Sequence, residues 1–497
     1  MKPLRLNINV PQLVLALCCL MNNMSMTACK SNDFSLPENP PQEEQKPTEP
    51  IINYCKIEAE NASLAGNLKV SQEYTGYSGS GYVADFSSDK DILTFNIPAI
   101  EAGTYELFIS YYCMYDGKKN YVSINQNRTE FDFPKNDTFS EIKVSKLSFS
   151  KTEGNTISIS KSWGYFAVDY IILKPAQNTP FQITTSLATP NPSQEATELY
   201  QYLLQNFGKK VLSGQTGDKE SETIKKITGK TPLIRAFDFM DYSPSRIEFG
   251  ASSSDSEKAI AWNEQGGIVT IAWHWNAPKD LINSDEHPWW SGFYTNATTF
   301  DVEYAMNNPE SEDYQLILRD IDAIAIQLKK LQAQHVPVLW RPLHEAAGKW
   351  FWWGAKGAEP CVKLYRLLFD RLVNHHKINN LIWVWTSDNA NNALDWYPGD
   401  EYVDIIGADI YMQGNHSSHA LYFETLKDIY QGKKMIVVSE NGSIPNPKLM
   451  FEDQAIWGYF VTWSGEFIEE KHNPESYIKE VYNNENVISL EDYTKNK

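Results

Sequence analysis

The chain has 497 residues, 42% of them apolar and 13% aromatic, with 15 Trp and 27 Tyr and a net charge of −19. That length exceeds one small domain and points to two or three. So acidic a chain excludes nucleic acid and an anionic membrane face as partners, and leaves neutral glycans open.

Lys2 and Arg5 precede an apolar run at 10–21 that is too short to span a bilayer stably, so it reads as a secretion signal. It leads to Met26-Thr27-Ala28-Cys29, which resembles a bacterial lipobox, where small residues precede a cysteine that is lipidated after cleavage. The expectation is a signal peptide over 1–28 and a lipidated linker over 29–51, anchored through Cys29. Residues 31–50 are Pro, Glu, Gln and Ser with little apolar content, a composition that forms a tether rather than a core. Cys55 and Cys113 fall in one small domain, where a disulfide and two thiols both stay open. Cys361 lies alone in a helical pattern as a small buried hydrophobe.

From 52 to 176 the pattern turns to short alternating runs, clearest at 92–97, 105–111, 121–124 and 156–159, which predicts a β-sandwich. Taken by themselves, Trp163 reads as core packing and Glu58, Glu60 and Asp169 as plain surface charge. Ile57-Glu58-Ala59-Glu60, Gly76-Tyr77-Ser78-Gly79-Ser80-Gly81-Tyr82 and Trp163-Gly164-Tyr165-Phe166-Ala167-Val168-Asp169-Tyr170-Ile171 resemble carbohydrate-binding module families 35 and 6. The resemblance implies a jelly-roll-like sandwich with a structural calcium ion on Glu58, Glu60 and Asp169, a hard-oxygen set suited to that ion. It also implies that Trp163 stacks on a sugar ring.

A connector at 177–192 leads into alternating strands and helices over 193–497. Strands are expected at 210–214, 233–237, 268–274, 336–340, 381–385, 405–411, 435–440 and 455–463, with the clearest helices at 314–334 and 362–377. Eight such units make a (β/α)8 TIM barrel, an α/β fold, the leading architecture. A doubly wound sheet does not explain why polar and aromatic residues gather at strand C-terminal ends. These ends read Trp273-His274-Trp275, Arg341-Pro342-Leu343-His344-Glu345, Trp385-Thr386-Ser387-Asp388, Asp409-Ile410-Tyr411, Ser439-Glu440-Asn441-Gly442 and Trp463. In a barrel they open on one face.

Glu345 lies just before Trp350-Phe351-Trp352-Trp353. A carboxylate beside aromatic walls is desolvated, so its pKa rises and it holds a proton near neutrality, as a general acid must. Glu440 is 95 positions away, yet strands four and seven of a barrel can aim both carboxylates into one cavity. Two facing carboxylates suggest glycoside hydrolysis, with Glu440 kept ionised by hydrogen bonds from groups such as Tyr411. Taken singly, each residue has a plainer reading: His274 a satisfied core histidine, Tyr411 packing, Trp463 barrel core, Glu440 a solvated loop carboxylate.

Arg341-Pro342-Leu343-His344-Glu345 with Gly348-Lys349-Trp350-Phe351-Trp352-Trp353-Gly354 resembles the acid/base region of glycoside hydrolase family 26, a family of retaining barrel enzymes, mostly β-1,4-mannanases. The resemblance implies Glu345 as acid/base and Glu440 as nucleophile. His274, Arg341, His344 and Tyr411 are then polar supports around the scissile sugar, and Trp350 and Trp463 stacking surfaces. Ala346-Ala347 depart from the Met-Asn of many members, which removes an amide near the leaving-group side. The expected activity is endo-cleavage of mannan-type polysaccharide, with no catalytic cofactor, by a monomer anchored to the bacterial outer membrane and displayed at the cell surface. Alternatives are mixed-linkage β-glucan or β-xylan as substrate, release of mannobiose from chain ends, and a non-catalytic surface glycan-binding lipoprotein. The aromatic-rich segment 286–304 is the insertion that decides cleft length.

Overall fold

A computed structural model of the chain describes residues 54–125 and 127–495; the expected signal segment, the linker and Cys29 lie outside the described residues. The first described domain is built of alternating strands. In Asn127–Phe133 buried residues alternate with more exposed ones, so one face of the strand meets a core and the other meets solvent. Two antiparallel sheets result. One runs Lys69–Ser71, Tyr82–Ala84, Ala167–Pro175, Gly103–Tyr112, Ser140–Phe149, with Cys55–Glu58 added beside Ala167–Pro175. The other runs Ser63–Ala65, Ile92–Asn96, Thr156–Lys161, Lys118–Ile124, Asn127–Phe133. Leu93, Phe95, Leu107, Ile109, Val122, Ile157 and Ile159 fill the space between them. Cys55 and Cys113 are separate thiols, and burial pushes that of Cys113 up to about 11.

The second domain closes eight parallel strands into a barrel. They are β1 Gly214–Thr216, β2 Ile234–Asp238, β3 Ile268–Ala272, β4 Val338–Arg341, β5 Leu381–Thr386, β6 Ile405–Ile410, β7 Met435–Asn441 and β8 Phe460–Thr462. The doubly wound alternative is thereby excluded. Two strands differ from expectation. The first splits: Val211–Leu212 pairs outside the barrel with Val487–Ile488, and the barrel strand starts only at Gly214. A Cβ on Gly214 would lie 2.5 Å from the Phe460 carbonyl oxygen, so only glycine lets β1 close against β8. β8 is three residues long rather than nine; residues 455–459 ahead of it are buried, and Tyr459 forms only an isolated bridge, with Leu212.

The longest helix, Glu312–Ala333, starts at Ser311, whose hydroxyl accepts from the Tyr314 N–H. It buries Ile317, Ile321, Ile324, Leu328 and Leu331 at three- and four-residue spacing. Helix Ala358–Phe369 buries Cys361 as expected, then loosens into a π-helical turn, Asp370–His375.

Sandwich and barrel are fastened side by side on helix Ala420–Ile429, which links β6 to β7. Leu421 of that helix is 3% exposed and packs into the sandwich core. Around it the Ser145 and Thr425 hydroxyls meet at 2.8 Å, and Lys146 and Lys143 reach Asp428 at 2.5 and 3.1 Å. Asn127 adds a hydrogen bond to Asp453 (2.8 Å) and accepts from the Ser418 hydroxyl (2.6 Å). The connector lies along the barrel, with Ala188 N–H donating to Asp404 at 2.6 Å. Leu421→Ala is expected to cost about 3 kcal/mol and to split the unfolding of the two domains into separate transitions. Calorimetry checks this, and a single unshifted transition would contradict the shared core.

Candidate active site

Every residue of β4 is buried, ending in Arg341. The chain then makes a strained turn in which Leu343 and Glu345 hold φ of 52° and 54°, the left-handed region that side chains other than glycine rarely adopt. Such residues cost about 1–3 kcal/mol each and persist only where their surroundings over-determine them. Those surroundings are aromatic. Trp353 Nε1–H donates to the His344 carbonyl at 3.0 Å, and Trp350 Nε1–H donates to the Glu345 carboxylate at 3.0 Å. A Cβ on Gly348 would lie 1.9 Å from the Trp350 ring, so the glycine lets the indole lie against the backbone. Of the aromatic run, Phe351, Trp352 and Trp353 are core, while Trp350 is 48% exposed at the cleft.

β6 and β7 supply the opposing acids. A register shift between Ala408 and Asp409 sets Asp409 level with Glu440. Arg341, itself buried, donates to Asp409 at 2.7 Å and to Glu440, and reaches the Thr386 hydroxyl at 3.3 Å. Glu440 accepts a second hydrogen bond from the Tyr411 hydroxyl, and Asp409 one from Ser439 at 2.6 Å. One oxygen each of Glu345, Asp409 and Glu440 lie within 4.8 Å of one another. Carboxyl groups about 5–5.5 Å apart suit direct attack on an anomeric carbon; a water placed between them needs about 6.5–9.5 Å.

Three carboxylates thus share one guanidinium in a site with little water, and the surplus negative charge is met by a proton. Burial, then Asp409 and Glu440, push Glu345 up to about 8. Burial and Glu440 also raise Asp409, to about 6, against the pull of Arg341. Arg341 is held firmly protonated: burial alone would weaken it, but Asp409 and Glu440 outweigh that. Burial and Glu440 drive the Tyr411 hydroxyl far above its usual range, so it stays a donor.

A second chain of contacts lines the same face. His274 Nδ1 bonds Asp238, and its Nε2 meets His344 Nε2 at 3.1 Å. Burial, Arg341 and His274 lower His344 well below the usual imidazole range, so it is neutral. The two imidazoles thus share one hydrogen bond, Nε2 to Nε2, whose direction follows their tautomers. His344 Nδ1 is buried with no partner among the described residues. Trp463 is half-buried, its ring 5.9 Å from that of His274.

Glu345, Glu440, His274, Arg341, His344, Trp350, Tyr411 and Trp463 therefore converge as the strand ends suggested. Sequence reasoning missed Asp238 and singled out Tyr411 rather than Asp409 at the end of β6. Position at a strand's C-terminal end was the available signal for both. Beside Glu345 opens a cavity of about 420 Å³ bordered by Trp350, Asp388 and Trp396. A further one of about 410 Å³ lies between Trp350 and Tyr294-Thr295-Asn296 of the expected insertion.

In the sandwich, Trp163 is 61% exposed, which removes the core reading. Glu58 and Asp169 share the Ser78 hydroxyl at 2.7 and 3.4 Å, Lys56 pairs with Glu58 at 2.8 Å, and Glu60 accepts from Ser80 N–H at 2.6 Å. Ser78 thus lies between two of these acids, and Ser80 holds the third.

The profile of glycosyl hydrolase family 26 matches residues 188–492, and that of carbohydrate binding module family 35 matches 55–176. A mannan endo-1,4-beta-mannosidase of Thermothelomyces thermophilus is 45% identical, over 89% of this chain and 91% of that protein. The crystal structure of a Podospora anserina GH26-CBM35 beta-(1,4)-mannanase is similar with a TM-score of 0.62 and 43% identity, over 89% of this chain and 98% of that one. That of a ruminal GH26 endo-beta-1,4-mannanase has a TM-score of 0.64 and 32% identity, over 88% and 98%.

Proposed function

We propose that this chain, which belongs to glycosyl hydrolase family 26, is a retaining endo-β-1,4-mannanase. The observation that carries the mechanism is the approach of Glu345 and Glu440 to within 4.8 Å. Glu440, gripped by Arg341 and Tyr411, attacks the anomeric carbon as the glycosidic bond breaks, and Glu345 gives its proton to the departing oxygen. A covalent glycosyl–enzyme forms. Glu345, now a carboxylate, takes a proton from a water that displaces Glu440 from the same carbon, which restores both groups and retains configuration. His344 and His274 present polar edges near the reacting sugar, and Trp350 and Trp463 present apolar faces. Mannan, galactomannan and glucomannan are the substrate class that the relatives' activity supports.

We infer a calcium ion at Glu58, Glu60 and Asp169. Two features support it: Glu60 Oε2 is buried without a partner among the described residues, and burial, with Glu58 close by, raises Asp169. A divalent cation would relieve both, with Lys56 and the Ser78 hydroxyl moving aside. We also infer outer-membrane anchoring through Cys29, on the strength of the basic, apolar and small-residue order of the N-terminus.

Proton donation requires Glu345 protonated, so kcat/KM on mannan is expected to fall as pH rises through about 8. Glu345→Ala should remove that limb and lower turnover about 10²–10⁴-fold, with a smaller loss on aryl mannosides, whose leaving group needs no proton. Glu440→Ala should abolish turnover on both substrates; wild-type turnover in this variant, or no reducing ends released from mannan by the unaltered protein, would sink the reading. Chelator is expected to lower the melting temperature of the sandwich, and an unchanged value removes the calcium. Cys29→Ala should move the protein from the membrane to the soluble fraction of its host, and retention would exclude the anchor.

A further inference from the structure

We propose that the sandwich builds one wall of the catalytic cleft, and that Lys119 and Asp132 bind the sugar on the leaving-group side of the cleaved bond. This rests on the mannanase reading above. The lining of the cavity beside Glu345 includes these two residues, from strands Lys118–Ile124 and Asn127–Phe133. Its lining takes in Glu345 and Trp350 but not Glu440, so it lies on the proton donor's side of the reacting centre. A donor of that kind faces the oxygen of the departing sugar, and the cavity holds what that oxygen is attached to.

Lys119 and Asp132 sit opposite each other across the two strands, with Nζ and Oδ1 3.6 Å apart and about half of each side chain exposed. Such a cation–carboxylate pair offers donors and acceptors to neighbouring hydroxyls of a neutral sugar, and charged partners make the stronger hydrogen bonds. Facing them across the cavity, Asp388 is affected by both: after burial, Asp132 raises it and Lys119 lowers it. On the barrel side Ala347 brings no polar group, so the sandwich supplies what that position lacks.

The wall is held in register with the barrel. Asn127, at the start of one of its strands, bonds Ser418 and Asp453, and Asn415 Nδ2 donates to the Arg128 carbonyl at 3.1 Å. Along the same edge, Trp163 N–H donates to the Lys119 carbonyl at 2.9 Å, and its exposed ring lies 5.9 Å from the Lys118 ammonium. The module thereby extends the cleft.

The test is steady-state kinetics of the full chain on mannohexaose and on nitrophenyl β-mannobioside, whose leaving group is too small to use the wall. Lys119→Ala/Asp132→Ala is expected to lower kcat/KM on mannohexaose about tenfold more than on the aryl substrate, the loss of one charge-assisted hydrogen bond. Lys119→Gln/Asp132→Asn, matched to wild type in melting temperature, should show the same ordering. Equal losses on the two substrates, or none, in a protein whose wild type cleaves both would overturn the wall and leave the mannanase reading intact. A wild type inert on both removes that reading and the wall with it.

Discussion

One buried guanidinium facing three carboxylates is the constraint on which the site depends. Arg341 neutralises Asp409 and Glu440 through direct hydrogen bonds, and Glu345 stands within 4.8 Å of both acids with no ion pair of its own among the described residues. Taking ions out of water costs several kcal/mol each, so a third anion there is far more easily met by a proton than by solvent. The shortage of one positive charge makes two chemically identical side chains differ. Glu440 has Arg341 and Tyr411 to stabilise its anion, while Glu345 has a single indole N–H and keeps its proton. Charge balance thus makes the two carboxyl groups unequal before any sugar arrives.

That balance needs side chains from three strands held to within about half an ångström, and the barrel supplies it by register. Arg341 ends β4, and the irregularity between Ala408 and Asp409 brings Asp409 level with Glu440. The left-handed turn through Leu343 and Glu345 is the least favourable stretch of backbone in the site. Trp350 and Trp353 clamp it, each donating an indole N–H to the turn. The apolar mass of the Trp-rich segment therefore has a double role, desolvating Glu345 and holding its strained backbone in place.

Much of this was legible because the C-terminal ends of parallel barrel strands share one face, so position in a strand translates into position in space. Glu345, Glu440, His274 and Tyr411 needed no more than that. Asp238 and Asp409 were harder. Each occupies a comparable strand end, but what makes them matter is a partner on another strand, His274 on β3 and Arg341 on β4, and lateral pairing leaves no periodic trace in sequence. The split first strand was hidden for a related reason: residues 210–214 are apolar enough for one strand, and the change of partner at Ser213 is set by Val487–Ile488 at the far end of the chain. Lys119 and Asp132 were illegible altogether. In sequence they are unremarkable charged residues on an alternating strand, over two hundred positions from Glu345.

The connection between the domains changes what the sandwich can contribute. A sugar-binding module on a flexible tether raises the local concentration of polymer and leaves the chemistry at the cleft unaltered. This one shares Leu421 with the barrel helix that follows β6, the strand bearing Asp409, and its own strands reach the cavity beside Glu345. A rigid junction of that kind lets binding energy at the sandwich fix the position of the sugar being expelled, and so act on the transition state as well as on capture. Cleft and sandwich then act as one unit, joined through the core around Leu421 and meeting at Lys119 and Asp132.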